Sequence, residues 1–312
     1  GSGDLAHAVV GPAPLEAAKL GGEYTLVKNW DFGANGNIRN NADLAREFQF
    51  HDQFGTIANG THYGAVMVAP SEDTAITARG LHLPGDKQPV ERADRPFREW
   101  TDGALRANVR PLDPSQSELS AADHNVGCGS FMAKWTLPSG GELLGRDVVW
   151  ETRVRMPTSQ PGYWFALWTA GNKWEHGAEM DVLESFGTPF VLGNAFHSDS
   201  VGGENEVDYS NWHGALSKLG VPSAERDLAN WHTFTWGYLK DDTSVVYYDG
   251  HEIQHGELHW TSGGQRGGEK INMFFLFDFA WGHTNVPDVN LTVPAAGFDL
   301  SYEVDYSRVY VR

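Results

Sequence analysis

Three carboxylates stand close together in Glu179-Met-Asp-Val-Leu-Glu184, spaced E-x-D-x-x-E, and Trp164, Trp168 and Trp174 precede them within 20 residues. Two glutamates on one face, with carboxyl groups roughly 5–5.5 Å apart, suit double displacement at an anomeric carbon, the route of retaining glycosidases. One attacks the carbon. The other protonates the leaving oxygen and later takes a proton from water. An aspartate between them can share a hydrogen bond with the nucleophile. Close negative charges push the two proton affinities apart, which keeps one carboxyl protonated near neutral pH. The competing reading is a solvated sheet face, the usual place of acidic residues. The density of indoles argues against it, since sugar rings present apolar C–H faces that stack on such surfaces.

The acids need an element that aims them together. On an extended strand Glu179 and Asp181 share one face, and Met180 and Val182 share the other. Glu184 is an odd number of steps from Glu179, so strict alternation would send it to the wrong side. One extra residue near Val182–Leu183, a β-bulge, would restore all three to one face.

The rest of the chain supports a strand there. Short apolar runs, rich in β-branched and aromatic residues, recur between Gly, Asn, Asp and Pro clusters: Tyr63–Val68, Asp147–Met156, Tyr163–Thr169, Phe190–Phe196, His232–Leu239, Ser244–Tyr248, Ile271–Phe279 and Tyr302–Val311. In Val148–Met156 the residues Val149, Glu151, Arg153 and Arg155 fall on one parity. Helical periodicity is scarce, with short turns expected over Asn40–Phe48 and Arg226–Trp231. Residues 69–130 are the least regular stretch. Because sixty residues of bare loop are unusual, strands are expected within it, with long loops that wall a cleft. The pattern predicts an all-β sandwich. Residues 1–20 read as a tail or edge-covering segment and residues 21–312 as a single catalytic domain, since no repeat or low-complexity linker divides them.

A formal net charge of −18 argues against nucleic acid and against an anionic membrane surface. It leaves a neutral substrate open and disfavours a highly anionic one. The lone Cys128 excludes an intrachain disulfide and a cysteine zinc site. In Gly-Cys-Gly it reads as a structural thiol. No apolar stretch approaches the ~20 residues that span a bilayer. Gly1-Ser2-Gly3 reads as an expression scar with a leader removed upstream. Secretion or a periplasmic location, and a monomer, are expected.

The run Trp164–Gly187 with its E-x-D-x-x-E core resembles the catalytic strand of glycoside hydrolase family 16, in the bulged form of laminarinases, agarases and carrageenases. Trp231-His-Thr-Phe-Thr-Trp-Gly-Tyr-Leu-Lys-Asp-Asp with Val245-Val-Tyr-Tyr-Asp-Gly250 is similar to a strand pair of that family, and Glu303–Val311 to its terminal strand. The likeness covers residues 130–312 well and residues 20–130 poorly. It implies a jelly-roll β-sandwich of two antiparallel sheets, the concanavalin A-like lectin/glucanase fold, with the concave sheet as the cleft. It also implies an endo-acting retaining hydrolase of a β-linked polysaccharide. Glu179 would be the nucleophile, Asp181 its helper and Glu184 the acid/base, with no cofactor for catalysis. The context is nearest to β-1,3-glucan enzymes. Galactan-type or exopolysaccharide hydrolysis, transglycosylation, and a non-catalytic glycan-binding module on the same fold stay open.

Further residues divide between two readings each. Trp164 and Trp168 share a parity and serve either the core or sugar stacking, whereas Trp174 sits in a Gly-rich loop better suited to a cleft. His197 would lie near the nucleophile's sugar or serve as a structural histidine. Trp281 and His283 lie where similar enzymes return to the cleft, and Asp278 is either a substrate hydrogen-bonder or a turn residue. The resemblance implies a structural calcium at Asp305, held with backbone carbonyls; the alternative is an edge-strand aspartate. His251-Glu-Ile-Gln-His255 fits the zinc-protease pattern H-E-x-x-H, but that motif works on a helix. The Asp249-Gly250 hairpin signal points to a strand, which would hold the two histidines ~13 Å apart at about 3.3 Å per residue.

Overall fold

Strands built on the alternating runs dominate the chain, with one α-helix and one short 3-10 turn among the described residues. The computed structural model describes residues 20, 22–50, 65–75, 88–101, 103–112, 126–135, 146–156, 163–171, 177–185, 194–197, 208–211, 220–222, 225, 227–241, 243–257, 273–281 and 300–312. The tail expected over residues 1–20 lies outside them except for Leu20, which packs against Val245 and Tyr247.

The larger sheet contains β1 (Thr25–Asp31), β3 (Ala65–Met67), β4 (Arg98–Thr101), β5 (Ala104–Pro111), β6 (Val126–Cys128), β8 (Val148–Arg155), β13 (His232–Tyr238), β14 (Thr243–Tyr248), β15 (His251–Glu257) and β17 (Leu300–Val311). Its order is β15-β14-β13-β8-β17-β5-β6-β3, with β1 also on β17 and β4 also on β5. The smaller sheet contains β2 (Phe48–Gln49), β7 (Phe131–Ala133), β9 (Tyr163–Gly171), β10 (Gly177–Ser185), β11 (Asn194–His197), β12 (Asp208–Asn211) and β16 (Met273–Trp281). Its order is β12-β11-β10-β9-β16-β7-β2. Pairing is antiparallel except between β3 and β6, which run parallel.

The helix spans Asn41–Glu47, with the Asn40 side chain accepting from the Asp43 N–H as its N-cap. The turn expected over 226–231 is not helical where it is described. Asp227 instead accepts the Ala229 N–H on its side chain and the Asn230 N–H on its carbonyl, a local competition typical of Asp.

The sheets meet through large aromatic side chains. Trp150 and Trp236 lie nearly parallel, 7° apart with centroids 6.0 Å apart, and Tyr238 meets Trp150 edge-on. Phe165 of β9 packs against Tyr302 of β17, with centroids 4.6 Å apart. Thr169 of β9 and Tyr238 of β13 hydrogen-bond through their hydroxyls inside this dry layer. A buried hydroxyl that loses its partner is costly, so the bond helps fix how the sheets sit.

The outward face of β8 is not uniformly wet. Arg153 and Arg155 pair with Asp305 and Glu303 of β17, and both guanidinium groups lie over the Trp231 ring. Glu151, on the same parity, is only 1% exposed. Tyr306 donates to its Oε2 and Thr235 to its Oε1, each at 3.3 Å. Burial pushes the Glu151 carboxyl above its ordinary value of 4.5, against the pull of Arg308 and the two hydroxyls. The folded chain therefore keeps this proton to a higher pH than the unfolded chain does, and stability falls as pH rises through the interval above the ordinary value. Glu151→Gln lacks that loss. Its denaturant midpoint, relative to the parent, should rise as the pH is raised above that ordinary value of 4.5; a difference that stays constant as the pH is raised counts against the assignment.

Candidate active site

Strand β10 carries the three acids, and its pairing with β9 contains the irregularity that their spacing calls for. Asp181 is opposite Trp168 and Leu183 is opposite Leu167, so Val182 is the extra residue between them. Glu184 then falls opposite Ala166. Directly opposed residues share a face, and Ala166 and Trp168 share one parity of β9. Positions 181 and 184 are therefore on one face, and Glu179, two residues before Asp181, is on it too. The other parity is the dry one. Phe165, Leu167, Thr169, Val182 and Leu183 are all fully buried, and Leu183, Leu167, Phe277 and Phe131 form one continuous row across four strands.

The acid face can be followed across the whole sheet. One row runs Asn211, Asn194, Asp181, Trp168, Leu276, Met132, Gln49 from β12 to β2. A second runs Glu184, Ala166, Asp278, and a third Tyr209, Phe196, Glu179. Asp181 is 7% exposed and Trp168 is half-buried. The carboxylate is thus set low beside the indole rather than out in solvent.

The positions expected to contact substrate separate under this register. Trp164, opposite Ala280, and Trp168 are on the acid face. His197 is opposite Gly177 and Asp208, at the parity of Ala195, which itself opposes Met180 of the inward face. Phe196 and Asn194 take the places beside Glu179 and Asp181 instead. Trp281 is opposite Tyr163 at the strand end, at the inward parity of Phe279 and Phe165; the acid face of β16 holds Leu276, Asp278 and Ala280. Trp174 and His283 lie outside the described residues. Asn194, Phe196, Asn211, Tyr209 and Gln49 were not singled out from sequence. For the first two, the alternation of Asn194-Ala-Phe-His was the available signal, but the β10–β11 pairing contains a second irregularity, between Gly177 and Glu179.

Two other features resolve without a site. His251 and His255 are on β15, opposite Tyr248 and Val245, so the H-E-x-x-H spacing is not helical. Beside them a recess of about 410 Å³ is lined in part by Glu225, His232, Asp249 and His251. His232 lies between the Asp249 carboxylate (Nδ1–Oδ2 2.7 Å) and the Asp227 carbonyl (Nε2–O 2.7 Å). Asp249 adopts φ 47° at the hairpin turn and accepts the Thr233 N–H. These polar groups fasten the turn. The β14–β15 hairpin is thereby tied to β13.

Asp305 is a poor fit to the calcium that the family resemblance implies. Its carboxylate is bonded to Arg153 (Nη1–Oδ2 2.7 Å) and its carbonyl accepts the Phe32 N–H at 3.0 Å. Calcium needs six to eight oxygens at 2.3–2.6 Å, and these oxygens already hold N–H donors. Among the described residues no three His, Cys, Asp or Glu side chains converge to hold a metal.

No family model matches the chain, and no curated protein matches it by sequence. Solved structures do match its fold. A non-specific endo-β-1,3(4)-glucanase from glycoside hydrolase family 16 aligns with 93% of this chain and 92% of its own at TM-score 0.58 and 16% identity. The laminarinase catalytic domain of Thermotoga maritima MSB8 aligns with 93% and 98% at TM-score 0.55 and 19% identity. The endo-β-1,3-glucanase of Pyrococcus furiosus aligns with 92% and 94% at TM-score 0.56 and 17% identity. Sequence identity this low carries the fold and nothing finer: this chain has the two-sheet sandwich of the family 16 glucanases.

Proposed function

We propose that this chain is an endo-acting, retaining glycosidase that hydrolyses a neutral β-linked glucan of the β-1,3 type. The observation that carries the proposal is the bulge at Val182, which sets positions 179, 181 and 184 on one face, flanked by Trp164 and Trp168. A module that only bound glycan would need the aromatic surface but not paired glutamates on a bulged strand. The neighbours in fold are described as endo-β-glucanases and laminarinases, which supports a β-1,3-glucan over a galactan. A net charge of −18 disfavours a sulfated galactan for the same chain.

The Glu179 carboxylate attacks the anomeric carbon and the glycosidic C–O bond breaks. Glu184 gives its proton to the departing oxygen, leaving a covalent glycosyl ester on Glu179. Glu184, now ionised, takes a proton from water, and the hydroxyl adds to the anomeric carbon as the ester bond breaks. Asp181 in its protonated form donates a hydrogen bond to the nucleophile and holds its orientation. A polymer of this size does not enter a cell, which supports an exported enzyme.

Reducing-end release from a panel of β-1,3-glucan, mixed-linkage glucan, agarose, carrageenan and bacterial exopolysaccharide tests the reading. Glu179→Gln and Glu184→Gln should each lose at least ~100-fold in rate, the scale of a positioned acid–base group; full activity in either sinks the assignment. Activity on agarose alone would move the substrate to galactans, and silence across the panel would favour a binding module. Deleting Val182 should be milder than either. It removes the extra residue of the bulge, so strict alternation keeps Glu184 opposite Ala166, on the face of positions 179 and 181. The expected result is a denaturant midpoint lowered by the loss of one buried valine side chain, about 1.5–3 kcal/mol, with more hydrolysis left than in Glu184→Gln; a deletion variant as inactive as Glu184→Gln contradicts the register.

A further inference from the structure

At the junction between the first strand and the last, two arginines bond to backbone and carboxylate oxygens. Asp305 is the extra residue of a bulge in β17, between Val304 and Tyr306. The bulge turns its carbonyl to the Phe32 N–H and its carboxylate to Arg153. Just after β1, Arg39 Nη1 donates to the carbonyls of Phe32 (2.8 Å) and Gly33 (3.0 Å). Asp31 accepts the Gly33 N–H on Oδ1 (2.9 Å) and the Ile38 N–H on its carbonyl (3.0 Å). A Cβ at Gly33 would lie 3.0 Å from Asp31 Oδ1 and 3.7 Å from Asp305 Oδ1. Two carboxylates thus flank the Cα of Gly33, and its carbonyl and that of Phe32 face one guanidinium.

Such a set of hard oxygens is what a divalent cation takes. Here the Phe32 and Gly33 carbonyls and the Asp305 carboxylate each accept from a guanidinium instead. Two guanidinium groups bring the same formal charge as one divalent ion, and each is held from its own side. Arg153 stacks on Trp231 at 4.6 Å. The backbone N–H of Arg39 donates to Asp43 Oδ2 in the first turn of the helix (2.9 Å). We propose that Arg39 and Arg153 stand in for a bound calcium in this fold, so that the closure of the first strand on the last is independent of metal. The guanidinium is suited to this, because its planar donors satisfy several oxygens and it stays charged at any working pH.

The test is a thermal melt of the whole chain, independent of activity and so of the hydrolase reading. After dialysis against EDTA, the midpoint should be the same with chelator as with millimolar calcium chloride, and calorimetric titration with calcium chloride should show no saturable binding. Arg153→Gln and Arg39→Gln should each lower the midpoint in EDTA by roughly 2–4 °C or more, whereas Arg153→Lys, which keeps a charge, should fall less than Arg153→Gln. The proposal is overturned if the parent melts lower in EDTA than in calcium, if it binds calcium saturably in a manner abolished by Asp305→Asn, or if both glutamine variants melt with the parent.

Discussion

Side-chain alternation along a strand is rigid: one residue more or less exchanges the two faces. Strand β10 uses that rigidity. Its inward parity must fill the layer between the sheets, and its outward parity must bring acids to one side. The E-x-D-x-x-E spacing cannot do both in a regular strand, and the bulge at Val182 reconciles them. Before it the apolar partner of the acids is Met180; after it, Leu183. Val182 itself is fully buried beside Leu183, so the extra residue adds apolar surface to the core rather than exposing it. The irregularity is thus anchored from behind by the hydrophobic layer.

The anchoring continues through the sandwich. Phe165 and Thr169 of β9 meet Tyr302 and Tyr238 of the larger sheet. Tyr238 in turn leans on Trp150, which stacks on Trp236. A packed aromatic layer resists small displacements because interiors are as dense as organic crystals. The larger sheet, remote from the acids, therefore acts as a backing plate for the strands that carry them.

Much of this was legible in the residues, and the parts that were not share a cause. Strand identity followed from alternation and turn residues, and a short helical turn was expected over Asn40–Phe48, where the structure has the helix Asn41–Glu47. The bulge followed from a parity conflict between Glu179 and Glu184 that only an extra residue could resolve. What stayed hidden depends on partners distant in sequence. His197 and Phe196 are both plausible neighbours of the acids until the β10–β11 register separates them. Glu151 has the parity of the solvent-facing Arg153 and Arg155, yet Tyr306 and Thr235 close over it. Arg39 bonds to backbone carbonyls, which no residue type reveals. The parallel pairing of β3 with β6 joins segments some sixty positions apart, with nothing local to announce it.

Strand β17 runs the length of the larger sheet, with β8 along one edge and β1 and β5 sharing the other. Contacts between β1 and β17, such as Arg308 with Asn29, bridge 279 positions of chain. Ladders of that span form only after a very large loop has closed, which makes folding slow and leaves partly paired edges exposed meanwhile. Hairpins such as β13–β14–β15 can assemble early from near neighbours, but the sheet has no middle until its final strand arrives.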